Sequence, residues 1–206
     1  MDSRRHCSTV TRQSLAGRGT NDALIIAPEI LLPSAERLAA HRRTQGLRVL
    51  VCPLEAVNDE FNGGRKSSYA IKRLIKYSYD TWGAKFVTLM GDGSEDPLNQ
   101  MGTAGPDLIP AQRIAAPVGI PEGTANVYES VPSDPWYVWC LDGGCSLTSN
   151  YLQDMFIGRL PVATPERAVA MVDKLIKYDD VQPDQAWRRK IKIGRASCRE
   201  RVCLAV

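Results

Sequence analysis

Short apolar runs alternate with helical patterns over the first half of the chain. The runs Ala23–Ala27, 47–54 and Phe86–Met90 are rich in aliphatic residues and are flanked by turn-forming residues, which is typical of buried strands. Between them, apolar residues recur at helical spacing. The order strand, helix, strand, helix, strand predicts a parallel sheet. Right-handed crossovers place the first strand between the other two, in spatial order 2-1-3.

Two helices are predicted between these strands. The first begins at Pro33 and ends before Gly46, and the second runs from Ser67 to Gly83. His41 lies on the first helix, where we expect a surface or edge position rather than a catalytic base. The stretch between the second strand and the second helix is predicted to be irregular, because it contains an Asn-Gly-Gly turn signal.

A long segment of different composition follows the third strand. Residues 91–135 hold seven of the thirteen prolines together with many glycines. This composition predicts an irregular excursion with one short strand at 108–115. Such a long loop in a compact domain is usually functional, mobile, or a junction between subdomains.

Regular structure is predicted again towards the end of the chain. Residues 136–141 are rich in aromatic and apolar residues, and residues 154–162 predict a further strand. Thr164, followed by proline, predicts the start of a helix with a buried stripe at helical spacing. Residues 187–191 resemble the opening of another strand.

The composition is that of a globular protein. Of 206 residues, 44% are hydrophobic and 24% are charged. A net charge of +3 is too small to indicate a nucleic-acid partner, and no apolar run is long enough to span a bilayer. The first twenty residues carry basic side chains without a following apolar segment, so no secretory signal is recognised.

The six cysteines show no framework spacing. Cys140 and Cys145, in the segment CLDGGC, form a close pair. A zinc ion would need two more ligands, and the two histidines, His6 and His41, are distant in sequence. A disulfide across the turn, or two free thiols, is therefore favoured over a metal site.

An acidic loop, GDGSEDP, follows the third predicted strand. In open α/β sheets, ligands collect at the carboxyl ends of the strands. Asp92 and Asp96 in this loop, with Asp134 and Asp142 near other strand ends, are candidate calcium ligands, since calcium takes six to eight oxygen atoms. No cofactor is expected to be required. The alternative is a tight turn with solvated acidic side chains.

Several segments together resemble the gingipain-type cysteine peptidases, which share the caspase-like fold. The segments are ALIIAPE, HRRTQGLRV, VTLMGDGSEDP, Ser133-Asp134 followed by Tyr137, and FIGRLPVATPERAVAMVDKLIKYD. They extend from about residue 23 to residue 187. Short pieces such as GD and IGR carry little information alone, whereas their order and spacing are specific.

The resemblance implies an α/β fold: three caspase-like layers in which a Rossmann-like parallel sheet carries helices on both faces. We expect a disordered tail at 1–22, a first subdomain at 23–135 and the start of a second, catalytic subdomain at 136–192. Residues 193–206 are expected to be non-native, because IGRASCRERV resembles a translated sequencing adapter.

The resemblance also sets the functional expectation. In this family the catalytic histidine and cysteine follow later strands of the second subdomain, and no residue here matches those segments, so no catalytic residue is assigned. The chain is expected to be an inactive fragment of a secreted or cell-surface cysteine endopeptidase that cleaves proteins or peptides after arginine or lysine. The alternative is a non-catalytic α/β module that binds a small ligand or acts in secretion.

Overall fold

The computed structural model describes residues 14–15, 17–94, 96–97, 100–102, 105, 107–117, 128–139, 141 and 153–179. The strands are β1 (Ala23–Ala27), β2 (Val49–Pro53), β3 (Phe86–Met90), β4 (Arg113–Pro117), β5 (Tyr128–Pro132) and β6 (Phe156–Leu160). The α-helices are α1 (Leu32–Thr44), α2 (Leu54–Asn62), α3 (Ser68–Trp82) and α4 (Pro165–Asp179). Short 3₁₀ helices occupy Glu29–Leu31 and Pro135–Val138.

A parallel sheet with strand order β2-β1-β3-β6 forms the centre of the molecule. Ala23 of β1 lies beside Val49 and Phe86, and Phe86 lies beside Phe156 of β6. The predicted order 2-1-3 of the first three strands is therefore confirmed. The strand predicted at 154–162 is also present, and it adds to the outer side of β3.

Helices cover both faces of this sheet and give the predicted three layers. Side chains alternate along a strand, so Leu24 and Ile26 of β1 face one core and Ile25 faces the other. The first core contains residues of α2 and α3, and the second contains residues of α1 and α4. Among the described residues, no helix is long and apolar enough to cross a bilayer.

Local signals explain the ends of the helices. Ser67 caps α3 by accepting a hydrogen bond from the backbone N–H of Tyr69 at 3.1 Å, and Gly83 ends it with a positive φ of 70°. The stretch predicted to be irregular contains α2, so this prediction was wrong. Val57 is buried on α2, which follows β2 without a side-chain cap and ends at Gly63.

The segment 91–135 is more regular than predicted. Strands β4 and β5 pair as an antiparallel hairpin, with Ile114 opposite Val131. The single strand predicted at 108–115 therefore begins later, at Arg113, and has a partner that was not predicted. Within the segment 136–141, residues up to Val138 belong to a 3₁₀ helix, and Trp139 forms an isolated bridge with Gln153.

Two segments lie close to boundaries of the predicted division into tail and subdomains, and that division stays a prediction. Leu15, in the tail expected to be disordered, is fully buried, and its backbone N–H donates to Glu60 at 2.7 Å. Residues 1–13 and 16 of that tail lie outside the described residues. The strand β6 and helix α4, which fall in the predicted second subdomain, pack in the same sheet and layers as β1 to β3.

Candidate functional site

The carboxyl ends of β3 and β6 border a cleft of about 270 Å³. In a parallel sheet this edge is where ligand-binding groups usually gather. The cleft lies between the loop after β3, the hairpin β4–β5 and the start of the 3₁₀ helix at Pro135–Val138. Its walls are formed by Asp92, Gly93, Ala111, Pro132, Ser133, Asp134 and Arg159.

Backbone hydrogen bonds hold the loop after β3 against its neighbours. The N–H of Asp92 donates to Val162 at 3.1 Å, and its C=O accepts from the N–H groups of Leu108 and Ile109, both at 2.9 Å. A Cβ atom on Gly93 would lie 2.8 Å from the carbonyl oxygen of Ile109. The glycine is therefore required by the close approach of two backbones.

Arg159, near the carboxyl end of β6, binds groups on several walls of the cleft. Its Nε and Nη2 donate to the carboxylate of Asp134 at 2.7 to 3.1 Å, in a two-pronged arrangement. Its Nη1 donates to the carbonyl oxygens of Gly91 at 3.1 Å and Ile109 at 3.0 Å, and Nη2 lies 3.4 Å from that of Pro110. Each of its three nitrogens thus has a protein acceptor.

Burial and charge act in opposite directions on this arginine. Burial lowers the pKa of Arg159, but the hydrogen bonds to Asp134 and the charge of that carboxylate outweigh it, so the net pKa is raised. The Arg159 side chain is 13% exposed and that of Asp134 is 29% exposed. The pair is therefore a partly buried ion pair, and the negative charge of Asp134 is already matched.

Tyr137 adds a further connection from the 3₁₀ helix. Its hydroxyl donates to the carbonyl oxygen of Pro110, which also accepts from Arg159. Burial raises the pKa of the Tyr137 phenol far above its ordinary value. The phenol is therefore a permanent hydrogen-bond donor at neutral pH, and it acts as a structural group rather than as a base.

The four candidate calcium ligands do not gather at one point in the described residues. Asp92 and Asp134 line the same cleft, but the carboxylate of Asp134 is held by Arg159. Asp96 lies apart from the cleft walls, and its carboxylate accepts from the N–H of Met101 at 2.8 Å. Asp142 lies outside the described residues.

No group of three or more metal-ligating side chains occurs within the described part of the chain. A calcium ion at the cleft would have to compete with the guanidinium of Arg159 for the Asp134 oxygens. Such a site therefore stays a prediction, and it depends on ligands beyond those that the structure brings together.

The cysteine and the histidine within the described residues, Cys52 and His41, do not form a catalytic pair. Cys52 lies in β2, is fully buried in the core that contains α2 and α3, and has its pKa raised to about 12 by that burial. His41 lies on α1, which covers the opposite face of the sheet, and its Nε2 is 3.0 Å from Asp179. The expectation that His41 takes an edge position agrees with its 14% exposure. The Cys140–Cys145 pair lies outside the described residues.

The role of Arg159 was not predicted from the sequence, although the IGR segment was noted. The available signal was an arginine inside an otherwise apolar strand, since a charge that is partly removed from water needs a partner. An aspartate followed by proline and aromatic residues, as at Asp134, offers that partner only once the loop is folded back. Chemically, the cleft offers polar backbone groups, the side chains of Ser133 and Asp92, and the ion pair of Arg159 with Asp134.

Comparison with known proteins gives the family. The model of peptidase family C25 matches residues 17–194. The crystal structure of dimeric latent PorU from Porphyromonas gingivalis is similar, with 29% identity over 85% of this chain and 17% of that one and a TM-score of 0.66. No curated protein matches the chain.

A second similar structure is the complex of the RgpB pro- and mature domains from Porphyromonas gingivalis. The identity is 21%, the TM-score is 0.50, and the match covers 76% of this chain and 28% of that one. At this identity the likeness supports the fold alone. The chain thus spans less than a third of the length of either structure. The resemblance to gingipain-type peptidases is confirmed, and the chain belongs to peptidase family C25.

Proposed function

We propose that this chain is the scaffold part of a cysteine endopeptidase and that it does not cleave peptides by itself. Membership of peptidase family C25 supports a peptidase-related role. The observation that carries the proposal concerns the described part of the chain, in which the thiol of Cys52 and the imidazole of His41 lie on opposite sides of the sheet. A cysteine peptidase needs a thiolate with an adjacent base, and these two groups are separated by a layer of backbone.

Within the complete enzyme, the scaffold holds the carboxyl edge of its sheet rigid. Arg159 links β6, the loop after β3 and the segment at Asp134 through its hydrogen bonds. The complete protein acts on proteins or peptides, with arginine or lysine as the residue before the cleaved bond, and works outside the cell or at its surface. These assignments rest on the family, because the matched structures are several times longer than the matched region.

The test is a cleavage assay on the purified chain with fluorogenic arginyl and lysyl peptides in the presence of a reducing agent. We expect no turnover above a buffer blank, with or without calcium. Extending the chain with the native gene sequence beyond residue 192 is expected to restore thiol-dependent turnover. Omitting calcium from the extended protein then tests whether the cation is needed.

Two results would count against the proposal. Thiol-sensitive cleavage by the purified chain, lost in Cys140→Ala or Cys145→Ala, would show that its own cysteines are catalytic. Cys52→Ala is the matched control, since a buried thiol of raised pKa should not contribute. An extended protein that folds but lacks any thiol-dependent activity would favour the non-catalytic module.

A further inference from the structure

The two outer edges of the parallel sheet differ in how their backbone groups are used. The sheet ends with β2 on one side and β6 on the other. At β2, the guanidinium of Arg43 donates to the carbonyl oxygen of Val49 at 2.8 and 3.2 Å. Pro53, the last residue of that strand, has no N–H to donate. A charged side chain and a proline at an edge are means by which natural sheets prevent another strand from joining them.

The outer edge of β6 has no such protection in the described part of the chain. The N–H of Phe156 donates to the carbonyl oxygen just before β3 at 2.9 Å, and the C=O of Leu160 accepts from the N–H just after β3 at 3.0 Å. Because backbone groups alternate in direction along a strand, Gly158 also faces β3, whereas Ile157 and Arg159 face away. Within the described residues, no group bonds the backbone N–H or C=O of these two residues. Four hydrogen-bonding groups are therefore left on this edge.

The surface beside this edge is apolar and carries no unmatched charge. The rings of Phe86 and Phe156 stack with centroids 5.5 Å apart, and they are 40% and 71% exposed. A Cβ atom on Gly158 would meet no atom within 4 Å, so the space above β6 is open on the same face. Arg159 is the charged residue of the strand, but its guanidinium is matched by Asp134 at 2.7 Å. A second copy of the chain can therefore approach this edge without repulsion between like charges.

The edge is also complementary to itself. In an antiparallel pair of strands, residues that face each other as a hydrogen-bonded pair exchange two hydrogen bonds. With a twofold axis beside Gly158, Ile157 of each copy lies opposite Arg159 of the other, and all four outward groups of each copy are paired. An axis at either outward residue would leave some of them unpaired, because Met155 lies in a bend before the strand and Pro161 has no N–H.

We propose that the chain forms a twofold-symmetric dimer in which β6 pairs antiparallel with β6 of a second copy. The two parallel sheets become one continuous sheet across the axis. In this register Phe156 of one copy lies opposite Leu160 of the other and diagonal to its Gly158, on the same face. The phenyl ring thus covers the open space above the glycine of the second copy.

The area that can be buried sets the strength of this dimer. Since a covered aromatic side chain buries about 150 to 250 Å², the exposed parts of Phe86 and Phe156 in the two copies contribute about 400 Å². With the strand backbones, Ile157 and Leu160, the total is about 1,000 Å², the lower limit for a specific interface. The dimer is therefore reversible and depends on protein concentration.

Sedimentation velocity of the full chain in a reducing buffer tests the proposal, since the reducing agent excludes dimers linked by disulfides. We expect the mean sedimentation coefficient to rise from the monomer value to the dimer value between micromolar and submillimolar concentration. The variants Gly158→Lys and Gly158→Glu then locate the contact. Each places like charges at the axis, where the two Cα atoms lie about 4.5 Å apart. Each should weaken dimerisation about tenfold or more.

Mixing the two Gly158 variants in equal amounts provides the sharpest result. Opposite charges then meet at the axis, and the mixture should form a heterodimer with about the affinity of the parent. Val169→Glu is the matched control, because Val169 is 44% exposed on the solvent side of α4. This control should dimerise like the parent.

Three results would overturn the proposal. The first is a chain that stays monomeric over the whole concentration range, which would assign the edge to a different partner. The second is a dimer that both Gly158 variants retain at parental affinity, and the third is a mixture of folded variants that regains no dimer. If a Gly158 variant unfolds at a lower urea concentration than the parent, Phe156→Ser replaces it, since this side chain is 71% exposed in a single copy. That variant should weaken dimerisation several-fold, and unchanged dimerisation contradicts the contact.

Discussion

The two ends of strands β3 and β6 differ in how they are completed. At the carboxyl end, Arg159 binds Asp134 and the carbonyl oxygens of Gly91 and Ile109, so the polar groups of the described chain satisfy one another. At the amino end, Phe86 and Phe156 are left largely exposed. The carboxyl edge, which binds ligands in many α/β proteins, is here held together by hydrogen bonds. The opposite, amino edge exposes apolar surface.

An arginine–aspartate pair occurs at each of these two edges of the sheet, and the pairs differ in exposure. The pair at the amino edge, Arg48 and Asp22, directly precedes β2 and β1. Arg159 is 13% exposed beside Asp134, whereas Arg48 is 57% exposed beside Asp22. The contacts of the second pair are equally short, with Nη2 of Arg48 2.6 Å from Asp22. The two pairs have similar contact distances, but the exposed pair should contribute less to stability because solvent screens its charges.

Replacing Arg159 with methionine should give the largest effect. The substitution leaves the Asp134 carboxylate and several carbonyl oxygens without their donor, and we expect a loss of about 3 kcal/mol in the free energy of unfolding. Equilibrium urea denaturation measures it. Arg48→Met is the matched control, and its loss should be clearly smaller. Equal losses for the two variants would refute the difference between the ends.

Replacing a glycine at each end tests how closely the backbone there is packed. Gly91 has a φ of 149°, and a Cβ there would lie 2.8 Å from Cγ1 of Ile109, so Gly91→Ala should cost about 2 kcal/mol. Gly158 has open space above it, so Gly158→Ala should leave stability unchanged or raise it by up to about 1 kcal/mol.

Melting temperatures and urea midpoints of the two alanine variants provide the measurement. A large loss for Gly158→Ala with none for Gly91→Ala would reverse the predicted order. It would mean that the carboxyl edge is loosely packed and that the amino edge is already filled by a backbone.

The smallest effect is expected from pH at the amino end. The side-chain hydrogen bond from Arg48, followed by its backbone N–H, lowers the pKa of Asp22 below its ordinary value of 3.8. Because the folded state favours the carboxylate, this pair stabilises the fold above that ordinary pKa. Its contribution is lost as the pH falls through the lowered value.

The variant Asp22→Asn removes this titration. Urea midpoints measured from about pH 5 down to about pH 2 should fall less steeply in the variant than in the parent chain. Arg48→Met should flatten the same part of the profile. A variant profile parallel to that of the parent would show that the pair makes no pH-dependent contribution.

The central sheet could be predicted because its signals are local and repeated. The aliphatic runs of β1, β2 and β3 and the helical spacing of α3 each indicate one structure, and crossover handedness fixes their order. Helix α2 was missed since it follows Pro53 directly and lacks a capping side chain. The partner of β4 was missed because hairpin pairing is decided by contacts between segments that the sequence shows only as proline-rich.

The position of the candidate site could be predicted from the sequence, but its hydrogen-bond partners could not. The loop after β3 was expected at the carboxyl edge, and Asp92 and Asp134 do meet there. Their partner, Arg159, lies 25 residues from Asp134 in sequence, and no local pattern joins the two. Sequence spacing identifies which residues reach the edge, whereas hydrogen-bond partners depend on how the loops fold back.

The most direct test of the scaffold role is affinity labelling of the native chain with arginyl and lysyl peptide chloromethyl ketones, read by intact-protein mass spectrometry. These reagents alkylate an activated cysteine whose neighbouring groups bind the peptide. The account predicts no labelling of any cysteine beyond that given by a chloromethyl ketone without a basic residue. Stoichiometric labelling of one cysteine that requires the arginyl or lysyl group would contradict it.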